Sequence, residues 1–170
     1  MVFFLIISLT LLVFFVTYAL AGLSAAPWLP TRSKDIQRFI DLAEIKPGQT
    51  VYDLGCGDAR LILAASKLGA YGIGYEISLL PYLIGVINKI KSRQKNCRIL
   101  YKSFWQANLH SADLVYVFLI PQINLKIKKK LGQELKPGAK VIAYVWPLPG
   151  LTPIKIDKKE GYADIYLYEL

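Results

Sequence analysis

Cysteine, histidine and methionine are scarce in this chain: two, one and one among 170 residues. Cys56 and Cys97 match no metal-ligand spacing and are too few for a disulfide framework, so neither a bound metal nor an oxidising compartment is called for. Charge is scarcer still at the beginning, where no Asp, Glu, Lys or Arg precedes Arg32. All 33 charged side chains, 21 basic and 12 acidic, fall between Arg32 and Leu170, at a density ordinary for a folded domain in water. No later uncharged run reaches the roughly 18 residues of a spanning helix, which excludes a polytopic membrane protein. The 3 Trp, 11 Tyr and 7 Phe, with dense aliphatics, exclude a disordered chain.

The uncharged beginning, Val2 to Leu23, is Leu, Ile, Val and Phe with scattered Ser8, Thr10, Thr17 and Tyr18. As a helix this run would rise about 33 Å, enough to cross a bilayer. Ala19 to Ala21 or Ala25 to Ala26 could imitate a signal-peptidase site, but the run is too long for a signal peptide and no basic residue precedes it. The expectation is a retained transmembrane anchor over residues 1–26. Pro27, Trp28 and Pro30 would end it, with Trp28 at the interface. Arg32, Lys34 and Arg38 follow at once, which places the remainder of a single-pass membrane protein on the cytoplasmic side. Residues 27–48 then form a linker and packing helix, and residues 49–170 the catalytic domain.

In that packing helix Ile36, Phe39, Ile40 and Ala43 recur at helical spacing until Pro47-Gly48 stops them. Strands are expected at Thr50 to Leu54, Tyr71 to Tyr75, Cys97 to Leu100, Leu114 to Leu119 and Lys140 to Val145. Helices fall between them at Ala59 to Leu68, after Ser78 with Leu83, Val86, Ile87 and Ile90 as the buried stripe, and at Ile123 to Leu135. Alternation of this kind predicts a parallel, doubly wound α/β sheet. Ile154 to Ile156 and Ala163 to Leu170 are joined by too few residues for anything but an antiparallel hairpin, making seven strands with the last antiparallel.

After the first strand comes Asp53-Leu54-Gly55-Cys56-Gly57-Asp58-Ala59-Arg60, and Glu76 ends the second. Ligands of open α/β sheets bind at the carboxyl ends of strands. Gly55 and Gly57 allow a tight turn and close approach, and Glu76 is placed to accept both hydroxyls of a ribose, so a nucleoside ligand is implied. A dinucleotide loop wants Gly or Ala at its sixth position, where Arg60 stands, so NAD is disfavoured, and no P-loop occurs.

These residues resemble motif I of the class I S-adenosylmethionine-dependent methyltransferases, with Asp53, Gly55 and Gly57 as its D-x-G-x-G and Glu76 as its second-motif acid. An apolar beginning, P-W-L-P-T, D-L-G-C-G-D-A-R, G-Y-E and V-F-L-I-P together resemble the membrane-anchored protein-lysine methyltransferases. Mitochondrial members of that family modify the adenine nucleotide translocase and the ATP synthase c-subunit. The resemblance implies a Rossmann-like seven-stranded sheet and S-adenosyl-L-methionine held by Asp53, Gly55, Cys56, Gly57, Asp58, Glu76, Ser103 and Phe104. Three positions depart from the family: Ala59 where a third glycine is usual, Ser78 in place of Asn, and Ser103 in place of an acid that holds the adenine amino group. Adenine contact then falls to Phe104, Trp105 and backbone amides.

Methyl transfer from a sulfonium is an in-line displacement that needs alignment and exclusion of water, with no metal. The acceptor rim should come from the ends of strands four and five, around Pro121 and Trp146. No N-P-P-Y stands there, which argues against amide and adenine acceptors. A lysine must lose its proton, which an aromatic channel favours; Trp105, Tyr144 and Trp146 are the candidates to line it. The acceptor expected is a lysine of a membrane-associated protein. A quinone, a lipid or RNA is the alternative acceptor, and a degenerate cofactor-binding scaffold the non-enzymatic one. His110 lies in a polar loop and is read as solvated. The net charge of +9 is densest at Lys126, Lys128, Lys129 and Lys130. On an amphipathic helix these suit solvent or anionic lipid better than nucleic acid.

Overall fold

A computed structural model describes residues 1–24 and 29–170; the side chains of its first helix, α1 (Val2–Ser24), are described as far as Val16, Phe14 excepted. Further helices and short turns surround seven strands, of which β1 is Thr50–Leu54, β2 Tyr71–Glu76, β3 Cys97–Tyr101, β4 Leu114–Val117, β5 Lys140–Tyr144, β6 Lys155–Asp157 and β7 Ile165–Glu169. The α-helices after α1 are α2 (Ser33–Ala43), α3 (Arg60–Lys67), α4 (Leu79–Ser92) and α5 (Asn124–Glu134).

The strands form one sheet in the order β3-β2-β1-β4-β5-β7-β6. The first five pair in parallel, and β7 runs antiparallel between β5 and β6. Each β–α–β passage is a crossover, and only the short Lys158-to-Asp164 connection allows a hairpin. Period two sorts the strand residues into two cores. Val115 and Val117 face α5 with Ile127 and Leu131, whereas Leu114 and Tyr116 face α2 and α3 with Phe39, Leu42 and Leu61.

The expected single-pass anchor is corrected. Among the described residues no helix is long and apolar enough to cross a membrane. The spanning helix, the localisation built on it, with the catalytic domain facing the cytoplasm, and the bilayer as a partner through it are therefore set aside. The interface position expected for Trp28, with Ala25 to Pro27, lies outside the described residues.

Two helices are rotated from their expected faces. In α2 the buried residues are Asp35, Phe39, Leu42 and Ala43, with Ile36 and Ile40 half-buried. Asp35 enters the protein because Arg38 Nη1 donates to it at 2.9 Å and the Tyr144 hydroxyl donates to its other oxygen. In α4 the expected stripe is not buried: Leu83, Ile87 and Ile90 are exposed and Val86 is half-buried. The inward face is Pro81 and Gly85. A Cβ on Gly85 would stand 3.1 Å from the Gly57 carbonyl oxygen and 3.3 Å from the Ala59 Cβ, so only a small residue lets the helix approach that loop. Asn88 Nδ2 fastens the contact by donating to the Asp58 carbonyl at 3.0 Å.

Candidate functional site

The order of strands reverses between β1 and β4, and at the carboxyl end of this pair a cleft of about 770 Å³, open mouth included, enters the protein. Switch points of this kind are where open α/β sheets bind ligands. Its floor is the loop after β1. Gly55 and Gly57 both take positive φ, +98° and +53°, the region where glycine is free and other residues are strained. The N–H groups of Gly55 and Cys56 both donate to the Tyr75 carbonyl at 2.9 Å, which ties the loop to β2. A Cβ on Gly74 of that strand would stand 2.5 Å from Cys56 Sγ, so the loop lies directly on the strand. Ala59 adopts φ +66°; the family's usual third glycine would hold that conformation without strain.

Glu76 ends β2, buried, with both carboxylate oxygens engaged. Oε2 accepts the Gly57 N–H at 2.9 Å and Oε1 the Ser78 N–H at 2.7 Å. The acid therefore braces the loop, while each oxygen keeps a lone pair for a ligand in the cleft. The Ser78 hydroxyl caps no backbone group of α4.

Asp53 is the unusual group. Its carboxyl is 3 % exposed and lines the cleft, and among the described residues it accepts no hydrogen bond. Burial, then the negative charges of Glu76 and Asp58, push its pKa well above the ordinary carboxylate value. Asp58 is not free in the same way, because Arg60 binds both its oxygens. Arg60 also reaches across to donate to the Thr31 carbonyl at 2.7 Å. Thr31 in turn shares a hydrogen bond of 2.9 Å with the Tyr116 hydroxyl, so residues 29–31 wall the cleft against the end of β4. Burial lifts the Cys56 thiol well above its usual value, and the charges of Asp53 and Glu76 add to this; it is a packed neutral residue with no nucleophilic character.

The eight residues expected around a cofactor, Asp53, Gly55, Cys56, Gly57, Asp58, Glu76, Ser103 and Phe104, all line this one cleft. The acceptor-lining residues are dispersed. Trp105 lies outside the lining: its ring packs on Phe104 at 4.8 Å and its carbonyl accepts Lys130 Nζ at 3.4 Å. Pro121 is exposed and opens the short turn Pro121–Ile123, also outside the lining. Trp146 reaches the cleft indirectly, stacked at 6.0 Å on Phe118, which does line it. Thr31, Tyr116 and Phe118 are the residues sequence reasoning missed. Tyr116 and Phe118 share a parity within Leu114 to Leu119, and that was the available signal.

The donor set fits S-adenosylmethionine. An orphaned buried carboxylate is stabilised by a cation, and the ligand carries an ammonium and a sulfonium. Glu76 suits vicinal hydroxyls, and the glycine turn admits a ligand where any Cβ would intrude.

Comparison with known proteins agrees with this geometry. The sequence profile of the ANTKMT methyltransferase domain matches residues 53–155. A protein-lysine N-methyltransferase of Saccharolobus islandicus (strain REY15A) is 30% identical over 149 residues, covering 84% of this chain and 92% of its own. The ATP synthase c-subunit lysine N-methyltransferase of Homo sapiens is 30% identical over 158 residues, 91% of this chain but 66% of its own length. Among solved structures, an RNA methyltransferase from Salinibacter ruber in complex with S-adenosyl-L-homocysteine superposes with TM-score 0.79 at 26% identity, covering 83% of this chain and 93% of that one. With motif, fold and cleft in agreement, the chain belongs to the ANTKMT methyltransferase domain family and is a class I S-adenosylmethionine-dependent methyltransferase of the protein-lysine type.

Proposed function

We propose that the chain methylates the ε-amino group of a lysine in a separate protein, and that the acceptor enters along an aromatic wall formed by Phe118, Tyr144 and Trp146. The observation that carries this is the continuity of the wall from surface to cleft. Trp146 is partly exposed, its ring stacks on Phe118 at 26°, and Phe118, which lines the cleft, meets Tyr144 edge-on at 4.7 Å.

When bound, S-adenosylmethionine supplies a methyl group on a cationic sulfur. Asp53 faces that positive charge, Glu76 fixes the ribose, and the loop of Gly55 to Gly57 holds the ligand in register with the wall. Phe118 and Tyr116 exclude water, which favours the neutral amine over the ammonium and leaves its lone pair free for in-line attack. Buried and bonded to Thr31, the Tyr116 hydroxyl keeps its proton, its pKa lifted well above the usual phenol range chiefly by burial. It therefore contributes shape and a dipole, with no anion beside the acceptor.

Relatives named as protein-lysine methyltransferases, one of them for the ATP synthase c-subunit, make that subunit the first acceptor to test. RNA is the second reading, favoured by the Salinibacter neighbour. Tritiated cofactor, incubated with enzyme and native membranes or total RNA, separates them. Label in protein, recovered as methyllysine after hydrolysis and reduced at least tenfold by Trp146→Ala or Phe118→Ala, supports the proposal. Label confined to RNA or lipid overturns it.

A further inference from the structure

The outer face of α4 plays no part in the reaction, and nothing in the fold explains its composition. Leu80, Leu83, Ile87 and Ile90 follow one another at helical spacing and point outward, Ile87 at 50% and Ile90 at 71% exposure. The neighbouring charge is of one sign. Between Glu76 and Asp113 the chain has no acidic residue and six basic ones: Lys89, Lys91, Arg93, Lys95, Arg98 and Lys102. Elsewhere five basic residues, Arg38, Arg60, Lys130, Lys136 and Lys158, sit in ion pairs. Among the described residues none of these six does. The apolar surface also continues, because α1 lies against α4 and its described side chains are exposed and, Ser8 and Thr10 aside, apolar.

We propose that this face of α4 is a contact surface for anionic lipid, lying in the headgroup region with the aliphatic stripe inward and the basic residues against lipid phosphates. A helix lying on the surface needs no spanning length. Charge decides between occupants. A second copy of the chain would bring twelve like charges together with no acid to offset them. A nucleic acid would pair with the basic residues yet leave four large aliphatic side chains against phosphate and water. Anionic lipid satisfies both halves of the face. Ser78, which lines the cleft, immediately precedes α4, so this contact would set the cofactor cleft beside the lipid surface.

The test uses the full chain with vesicles of phosphatidylcholine alone and of phosphatidylcholine mixed with phosphatidylglycerol. Because α1 carries no charged side chain, it contributes alike to both, and the ratio of the two partition coefficients isolates the basic face. Each basic residue near an anionic surface contributes about 1 kcal/mol, a factor of about five. Lys89→Gln, Lys91→Gln, Arg93→Gln and Lys95→Gln should therefore each lower the ratio up to about fivefold, whereas Lys126→Gln and Lys129→Gln on α5 leave it unchanged. An environment-sensitive fluorophore on Ile87→Cys gives a second measurement, since Cys56 and Cys97 are buried and resist labelling. Its emission should shift to the blue on anionic vesicles. An unchanged ratio in the α4 variants, an unshifted emission, or loss in those variants of RNA binding without any effect on vesicles overturns the proposal.

Discussion

Replacing Glu76 separates its two duties, because bracing the loop and holding a ribose are read by different measurements. In the ligand-free protein Glu76→Ala removes the bonds from Gly57 and Ser78, 2.9 and 2.7 Å long, and leaves two buried N–H groups without acceptors. A hydrogen bond to a charged group contributes about 1.5–3 kcal/mol, so the loss is about 3–6 kcal/mol. For a domain of this size that lowers the melting midpoint by about 6–24 °C. Glu76→Gln keeps one acceptor and turns an amide against the other N–H, so about half of that loss is expected. Its effect on binding is separate: one charge-assisted bond to a ribose hydroxyl lost at about 1.5–3 kcal/mol weakens Kd roughly 10- to 150-fold. Ligand-free thermal unfolding reads the brace, and calorimetric titration with S-adenosylhomocysteine, at a temperature where the variant is folded, reads the ribose contact. An alanine variant that melts with the wild type refutes the brace. A glutamine variant that binds as tightly as the wild type refutes the ribose assignment.

Asp53 gives a pH signature of definite sign. Its folded-state pKa lies above the unfolded value of 3.8, so ligand-free stability is full below that value and falls as pH rises toward the folded one. Asp53→Asn should flatten that fall and bind cofactor more weakly. In the wild type, binding should release a proton and strengthen as pH rises through the folded value, read by calorimetry in buffers of different ionisation enthalpy; equal heats in all buffers would refute it. Gly74→Ala places a methyl 2.5 Å from Cys56 Sγ and 2.7 Å from Ile62 Cδ1, an overpacking cost of about 1–3 kcal/mol. Because Cys56 must shift, cofactor affinity should fall further than stability, and Cys56→Ala should restore part of it; a wild-type Kd in Gly74→Ala would show that the loop does not depend on this contact.

Most strand positions were legible because they are largely apolar runs bounded by Gly, Pro or an acid, Cys97 to Leu100 being the exception. Thr50 to Leu54 is observed as expected, and Tyr71, Cys97, Leu114 and Lys140 each begin a strand where the sequence predicts one. The antiparallel ending followed from chain length alone, since so few residues cannot carry a crossover. Asp53, Gly55, Gly57 and Glu76 were legible for a related reason: a tight turn at a strand end restricts residue type so strongly that the choice of residue reveals the turn. Arg60 was half legible. Its bulk at the sixth position of the loop told against a dinucleotide, but nothing local showed that its guanidinium would join Asp58 to the Thr31 carbonyl across 29 residues of chain.

The faces of α2 and α4 mark where such reasoning ends. Apolar spacing shows that a helix has an apolar side, and burial of that side is then the natural inference. In α4 a closer constraint wins. The helix must meet the Gly57 carbonyl and the Ala59 methyl at distances that only Gly85 permits, and Asn88 holds it there. Once that small-residue face is turned inward, Leu83, Ile87 and Ile90 face outward as a matter of helical geometry. In α2 a carboxylate takes an inward position because Arg38 and Tyr144 satisfy it, and Tyr144 lies 109 residues away. Tyr116 follows the same logic, since its place at the cleft depends on Thr31, 85 residues earlier. Each misplaced face thus traces to one polar or steric contact between distant segments, a term that periodicity within a segment does not contain. That is also why the exposed aliphatic stripe of α4 carries information. A helix whose orientation is set by Gly85 and Asn88 had no need of four large apolar residues on its far side, so their presence points to something outside the fold.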